Sequence, residues 1–126
     1  MVVVVTPVFY AVIQYIIPPI VRQKLFSNVL VGKQSEIPTD SVKVVRVDKK
    51  AVALVHNDQG QIKALSAVCT HLGCIVHFQS DRKVFHCNCH GSEFDMNGNV
   101  ISGPAKLPLQ PYKVDLKDDD ILISNV

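Results

Sequence analysis

The apolar and polar positions divide the chain in two. From Met1 to Val21, MVVVVTPVFYAVIQYIIPPIV, no residue is charged, whereas from Arg22 onward charges recur every few residues. As a helix this stretch would span roughly 32 Å at about 1.5 Å per residue, against a hydrocarbon core of about 30 Å. The pattern predicts an N-terminal transmembrane helix, an anchor over residues 1–24. It has neither the basic start nor the short apolar run and small-residue cleavage site of a signal peptide. Pro18 and Pro19 should end or kink the helix, leaving a regular part of about 17 residues, near the lower limit for a span. A buried core helix or a strand of VVVV type is the alternative, but no other segment could cover so apolar a helix.

Residues 22–40 mix polar and apolar positions without a clean period and contain Gly32 and Pro38. They read as a connector, with residues 25–40 as a flexible hinge and Gly32 as its freest point. Beyond it the period becomes that of strands. VKVVRVD (42–48) and AVALVHN (51–57) are rich in β-branched residues, NDQGQ is a turn, and IKALSAV (62–68) is the next strand. A turn falls at Asn97–Gly98, and YKVDL and ILISN form two strands around the acidic turn Asp118–Asp120. No long stretch of helical period follows residue 30. The fold class expected for residues 41–126 is all-β, a small antiparallel β-sandwich head.

Charge narrows the function. The formal net charge of +2 comes from Arg22 and Lys24, which leaves eleven basic and eleven acidic residues from Lys33 onward. An electrically neutral head with no basic patch argues against nucleic acid as a partner.

The candidate chemistry is concentrated. All four cysteines and two of the five histidines fall in two short loops, CTHLGC (69–74) and CNCHGSEFD (87–95). Four cysteines permit three pairings if all are oxidised. Pairing Cys87 with Cys89 would close a very small, strained ring. One cysteine from each loop can form a disulfide while the other two, with His71 and His90, hold metal. Zinc accepts such a set. So does a [2Fe–2S] cluster with two thiolates on one iron and two imidazoles on the other. Spacing alone does not decide between them.

CTHLGC, then CNCHGS, then GPAKLPL resembles the Rieske iron–sulfur proteins of cytochrome bc1 and b6f complexes, whose signature is C-T-H-x-G-C, C-P-C-H-G-S and a G-P-A proline loop. The resemblance covers residues 62–116 by motif. It implies one [2Fe–2S] cluster with Cys69 and Cys87 on the inner iron and His71 and His90 on the outer one. It also implies a disulfide between Cys74 and Cys89, and a shielding loop at Gly103, Pro104 and Ala105. Ser92 matches the serine whose hydroxyl bonds a cluster sulfur. Soluble Rieske ferredoxins and ring-hydroxylating dioxygenases resemble the cluster loops but generally lack the disulfide cysteines, both of which are here.

The function so implied is that of a membrane-anchored electron-transfer subunit. It takes one electron, coupled to a proton, from quinol at a site on a cytochrome b subunit. It passes that electron to a c-type cytochrome or equivalent acceptor. As an oxidoreductase subunit of a dimeric complex it is active only within the complex. Imidazole in place of thiolate removes negative charge and raises the potential. Oxidation of the cluster then favours loss of imidazole protons. His90 is the first candidate for the quinol contact and proton acceptor, His71 the second.

Departures from the family pattern matter too. High-potential members carry a tyrosine where this chain has Phe94, and its hydroxyl bonds a ligand sulfur. Losing ~1–2 kcal/mol of such a bond lowers a one-electron potential by roughly 45–90 mV, which suits menaquinol. Asn88 and Lys106 replace prolines of the second loop and the shield.

The implied location is an energy-transducing membrane, inner or plasma, crossed once, with the head on the periplasmic, positive side, where a disulfide persists. Arg22 and Lys24 on the head side run against the positive-inside bias. The alternative functions are the Rieske small subunit of an arsenite-oxidising molybdenum enzyme and a zinc-stabilised binding module. His56, His77 and His86 are read as ordinary surface or packed histidines, and Asp118–Asp120 as a solvated turn.

Overall fold

In a computed structural model of the protein, the described residues are 2–16 and 28–124. They form one helix and ten strands: α1 (Val2–Ile16), β1 (Val29–Lys33), a 3₁₀ turn (Gln34–Glu36), β2 (Ser41–Val47), β3 (Lys50–His56), β4 (Ile62–Ser66), β5 (His77–Gln79), β6 (Val84–His86), β7 (Glu93–Phe94), β8 (Val100–Ser102), β9 (Pro111–Lys117) and β10 (Asp120–Ser124). Of the anchor expected over residues 1–24, α1 covers fifteen residues, and residues 17–24 lie outside the described ones. No described helix is long and apolar enough to cross a membrane.

The strands make two antiparallel sheets, a six-stranded one in the order β1-β10-β9-β4-β3-β2 and a four-stranded one in the order β5-β6-β7-β8. The edges β1 and β2 of the larger sheet approach each other, so that sheet curls around a core of its own. Strand alternation sorts the apolar side chains between two cores. Val52 and Leu54 of β3 join Ile62, Ala64, Ile121 and Ile123 inside the curled sheet. Ala51, Ala53 and Val55 of the same strand face a second core with Leu65, Phe85, Phe94 and Leu109, which lies toward the four-stranded sheet. This is why Ala51–His56 is buried at every position and reads as a continuous apolar run.

Two expectations change. Of the hinge expected over residues 25–40, residues 25–27 lie outside the described ones, while β1 pairs with β10 and Ile37 is buried among the inner-core residues, so residues 29–37 are built into the head. Val29 and Val31 pack against that core while Leu30 between them is exposed. Gly32 lies within the paired strand, at a register irregularity between Leu30 and itself that breaks the simple alternation. The third strand of the head ends at Ser66 rather than Val68, since the Ala67 carbonyl accepts from the Val76 N–H and Val68 bridges Ile75, pairing the chain with the far side of the CTHLGC loop.

The acidic turn and one histidine hold this first segment in place. Asp119 accepts the Ser35 N–H at 2.9 Å and the Ser35 hydroxyl at 2.6 Å, and these bonds hold its carboxyl below the ordinary range. His56 Nδ1 lies 2.7 Å from the Ile37 carbonyl and is buried, a packed histidine with a partner.

Candidate metal centre

Three loops meet at one end of the four-stranded sheet. The first follows β4, the second joins β6 to β7, and the third, Gly103 to Gln110, joins β8 to β9. The first two are built alike. The Cys69 N–H donates to the Cys74 carbonyl and the Cys69 carbonyl accepts from Gly73, while the Cys87 N–H donates to the Ser92 carbonyl and the Cys87 carbonyl accepts from Gly91. Both glycines sit at positive φ, +81° and +76°, which explains a glycine four residues after each leading cysteine. A bridge between Val68 and Ile75 closes the neck of the first loop.

A Cys74–Cys89 disulfide ties the loops together, with Cα atoms 6.6 Å apart. Cys69 and Cys87 remain free and buried. The rings of His71 and His90 stand 4.9 Å apart and nearly perpendicular, at 85°. His71 Nδ1 is buried with no hydrogen-bond partner, a costly state for a polar nitrogen unless a ligand takes it. Two buried thiols, an unpartnered buried imidazole nitrogen and a second imidazole beside it are the donor set a [2Fe–2S] cluster with mixed ligation needs. The sulfurs of Cys74, Cys87 and Cys89 also lie within 4.8 Å of one another, but two of them are bonded together and offer no thiolate. The residues present fit the cluster.

The third loop is fastened to the other two. The Ala105 N–H donates to Ser92 Oγ at 3.1 Å, leaving that fully buried hydroxyl free to donate its own proton. Thr70 Oγ1 donates to the Leu107 carbonyl at 2.6 Å. At Gly103, φ +97°, an added Cβ would lie 2.5 Å from Ser92 Cα, so this loop packs directly on the second. Its outer side is apolar and open: Pro104 and Leu107 line one groove with Thr70, His71 and Lys106, and Leu72 is 69% exposed.

A family profile decides what these loops are: that of the Rieske [2Fe-2S] domain matches residues 27–113. The chain belongs to the Rieske family. It is 39% identical over 115 residues to the cytochrome b6-f complex iron-sulfur subunit of Chlorobaculum tepidum, and 42% identical over 115 residues to that of Chlorobaculum thiosulfatiphilum. In each case the match covers 91% of this chain but 63% of the relative, so the chain spans less than two thirds of their length. Among solved structures it resembles the plasma membrane Rieske protein PetC3 of Synechocystis PCC 6803, with TM-score 0.68 and 33% identity over 76% of this chain and 98% of that one. It also resembles a chain of a hyperthermophilic respiratory Complex III, with TM-score 0.70 and 28% identity over 95% and 92% of the two chains.

The Rieske domain brings together every residue singled out in its loops. Cys69, His71, Cys74, Cys87, Cys89, His90 and Ser92 stand in the two clamped loops, and Gly103, Pro104 and Ala105 in the loop that covers them. Two features escaped the sequence. Thr70, inside the first motif, proved to be the link to the covering loop. Glu93 takes a two-pronged ion pair from Arg82 at 2.7 and 3.0 Å, with His86 Nδ1 at 3.3 Å. Arg82 above all, with His86 adding, holds the Glu93 carboxyl below the ordinary range. The signal was the strand pairing of His86 with Glu93, visible only once the register is known. His77 is exposed, opposite His86 on β5.

Proposed function

We propose that the chain is the Rieske subunit of a quinol-oxidising cytochrome bc-type complex, an oxidoreductase subunit that works only with its partners. The observation that carries this is His71 Nδ1, buried and unpartnered beside His90 between two loops that bury two free thiols. Cys69, His71, Cys87 and His90 are the proposed ligands. The bound cluster supplies a one-electron acceptor whose potential is raised by its two imidazole ligands.

The chain's own residues do the rest. With Nδ1 of His71 turned inward, Nε2 is the outer atom at which that ring holds or takes a proton. His90 is exposed and is the first candidate for the hydrogen bond to quinol, with His71 second. The open apolar surface of Leu72, Pro104 and Leu107 gives a quinol-bearing partner something to dock on. Ser92 Oγ accepts from Ala105 and keeps a proton that it would donate to a cluster sulfur, which would favour the reduced state. Phe94 is fully buried in the core that holds Cys69 and Cys87, and it has no hydroxyl to add a second such bond. A lower-potential quinol such as menaquinol fits that absence. The electron then passes to a c-type cytochrome or equivalent, in a dimeric complex held in an energy-transducing membrane, with residues 1–24 as a single-pass anchor and the head on the positive side.

Membranes carrying the full chain with its cytochrome b partner provide the test. A cluster signal in electron paramagnetic resonance, with a midpoint within about −150 to +300 mV and reduced by quinol only when cytochrome b is present, is the expected result. A midpoint near about −400 mV, or bound zinc in place of iron, would remove the proposal.

A further inference from the structure

Three sulfur atoms converge where the first two loops meet. Those of Cys74, Cys87 and Cys89 lie within 4.8 Å of one another, two joined as the disulfide and the third a free, buried thiol. Cys69, the other free thiol, does not belong to this group. A thiol held beside a disulfide is the starting arrangement for thiol–disulfide exchange, which needs a thiolate and a reachable sulfur but no oxidant.

We propose that in the chain without its cluster Cys87 exchanges with the Cys74–Cys89 disulfide, and that cluster binding is what keeps the native pairing. The inference rests on Cys87 being a cluster ligand, as proposed above. In the step, Cys87 Sγ attacks Cys74 Sγ as a thiolate. The Cys74–Cys87 bond forms, the Cys74–Cys89 bond breaks, and Cys89 leaves as a thiolate that takes back a proton from water. One disulfide is exchanged for another, so no electrons are gained or lost. Attack on Cys89 Sγ instead would close the ring Cys87–Asn88–Cys89, whose geometry a disulfide tolerates poorly. The new pair closes nearly the same length of chain as the old one, so loop entropy barely separates the two isomers.

The exchange has a directional consequence. It moves the free thiol from Cys87, 1% exposed, to Cys89 on the surface. It also consumes a ligand, so the isomerised chain cannot accept a cluster until the original pairing is restored. Cluster loading and disulfide pairing then control each other: the cluster occupies the attacking sulfur, and the attacking sulfur, once exchanged, closes the site to the cluster.

Pairing in the full chain tests this, loaded and after native removal of iron by a chelator. Both samples are incubated without added thiol or oxidant and quenched in acid. Free thiols are then blocked with one reagent, disulfide thiols with a second after reduction, and the four positions are told apart by fragment-ion mass spectrometry. The expected result is at least tenfold more free Cys89 in the stripped chain than in the loaded one. Cys69 should stay free throughout, the yield should be independent of protein concentration, and stripped Cys87→Ser should show no free Cys89. Cys89 as protected in the stripped chain as in the loaded one would overturn the proposal. Cys69 pairing as often as Cys87 would also overturn it, since that is the mark of an unfolded chain. Failure of the chain to hold iron at all would defeat the functional proposal instead, and exchange would still be read directly in the iron-free sample.

Discussion

Gly103 and Ser92 touch backbone to backbone: a Cβ on Gly103 would stand 2.5 Å from Ser92 Cα and 2.9 Å from the Gly91 carbonyl. The contact sets the covering loop at the distance from which Ala105 reaches Ser92 Oγ. Gly103→Ala therefore meets two penalties, a φ of +97° that costs a side chain roughly 1–2 kcal/mol and a clash with immovable backbone. We expect unfolding free energy to drop by about 2 kcal/mol or more, and the cluster to be lost to a chelator several-fold faster. Unchanged chelation kinetics in a folded Gly103→Ala chain would mean that the covering loop does not protect the site.

Phe94 is the place to tune the potential. It is fully buried in the core that also contains Cys69 and Cys87, so a hydroxyl added to its ring enters the dry core that holds two of the proposed ligands. Phe94→Tyr should raise the midpoint potential by roughly 45–90 mV, the one-electron equivalent of a ~1–2 kcal/mol hydrogen bond to the reduced state. The same titration in the parent chain supplies the baseline. A Phe94→Tyr chain with the parent's potential would show that no ligand sulfur lies within reach of that position.

The metal loops were legible because their chemistry forces rare residue types into fixed spacing: a cysteine, a glycine at positive φ four residues on, and a histidine between. The pairing was less so. Spacing left three pairings open, and Cys74 with Cys89 came from the family resemblance before the structure contained it. The strands β2 and β3 announced themselves by β-branched residues and β4 by the turn before it, and each faces a core on at least one side. Strand β1 did not, because the irregularity at Gly32 interrupts an alternation of only three residues, Val29, Leu30 and Val31. The fastening of Thr70 to Leu107 spans thirty-seven residues and has no local signature.

Glu93 predicts a pH dependence. Its folded-state pKa is lowered by the Arg82 guanidinium and by His86, so the carboxylate stabilises the fold fully above its ordinary value of 4.5. That contribution is lost as pH falls through the lowered folded value. Glu93→Gln removes it. Denaturation midpoints of the two chains should therefore differ most near neutral pH and converge as the pH falls below the ordinary glutamate range and Glu93 is protonated. A gap that stays constant from pH 7 to 3 would show that Arg82 and Glu93 do not interact in solution.

Ile37 decides whether residues 29–37 belong to the head. Its side chain is 2% exposed and packs with Val47, Val52, Leu54, Ile121 and Ile123, and its carbonyl lies 2.7 Å from His56 Nδ1. Three further attachments hold the same stretch: β1 on β10, Ser35 on Asp119, and Lys43 on Glu36 at 2.7 Å. The last is exposed and adds little, so burial carries the segment. Truncating a buried isoleucine to alanine costs about 2–5 kcal/mol, whereas a change in a connector stays within about 0.5 kcal/mol. Urea denaturation of Ile37→Ala should show the larger loss with an unchanged slope. If it does, residues 29–37 belong to the head and Gly32 is no pivot, because bending there would tear β1 from β10 and open the inner core. A midpoint equal to the parent's would instead free the segment and restore Gly32 as the pivot.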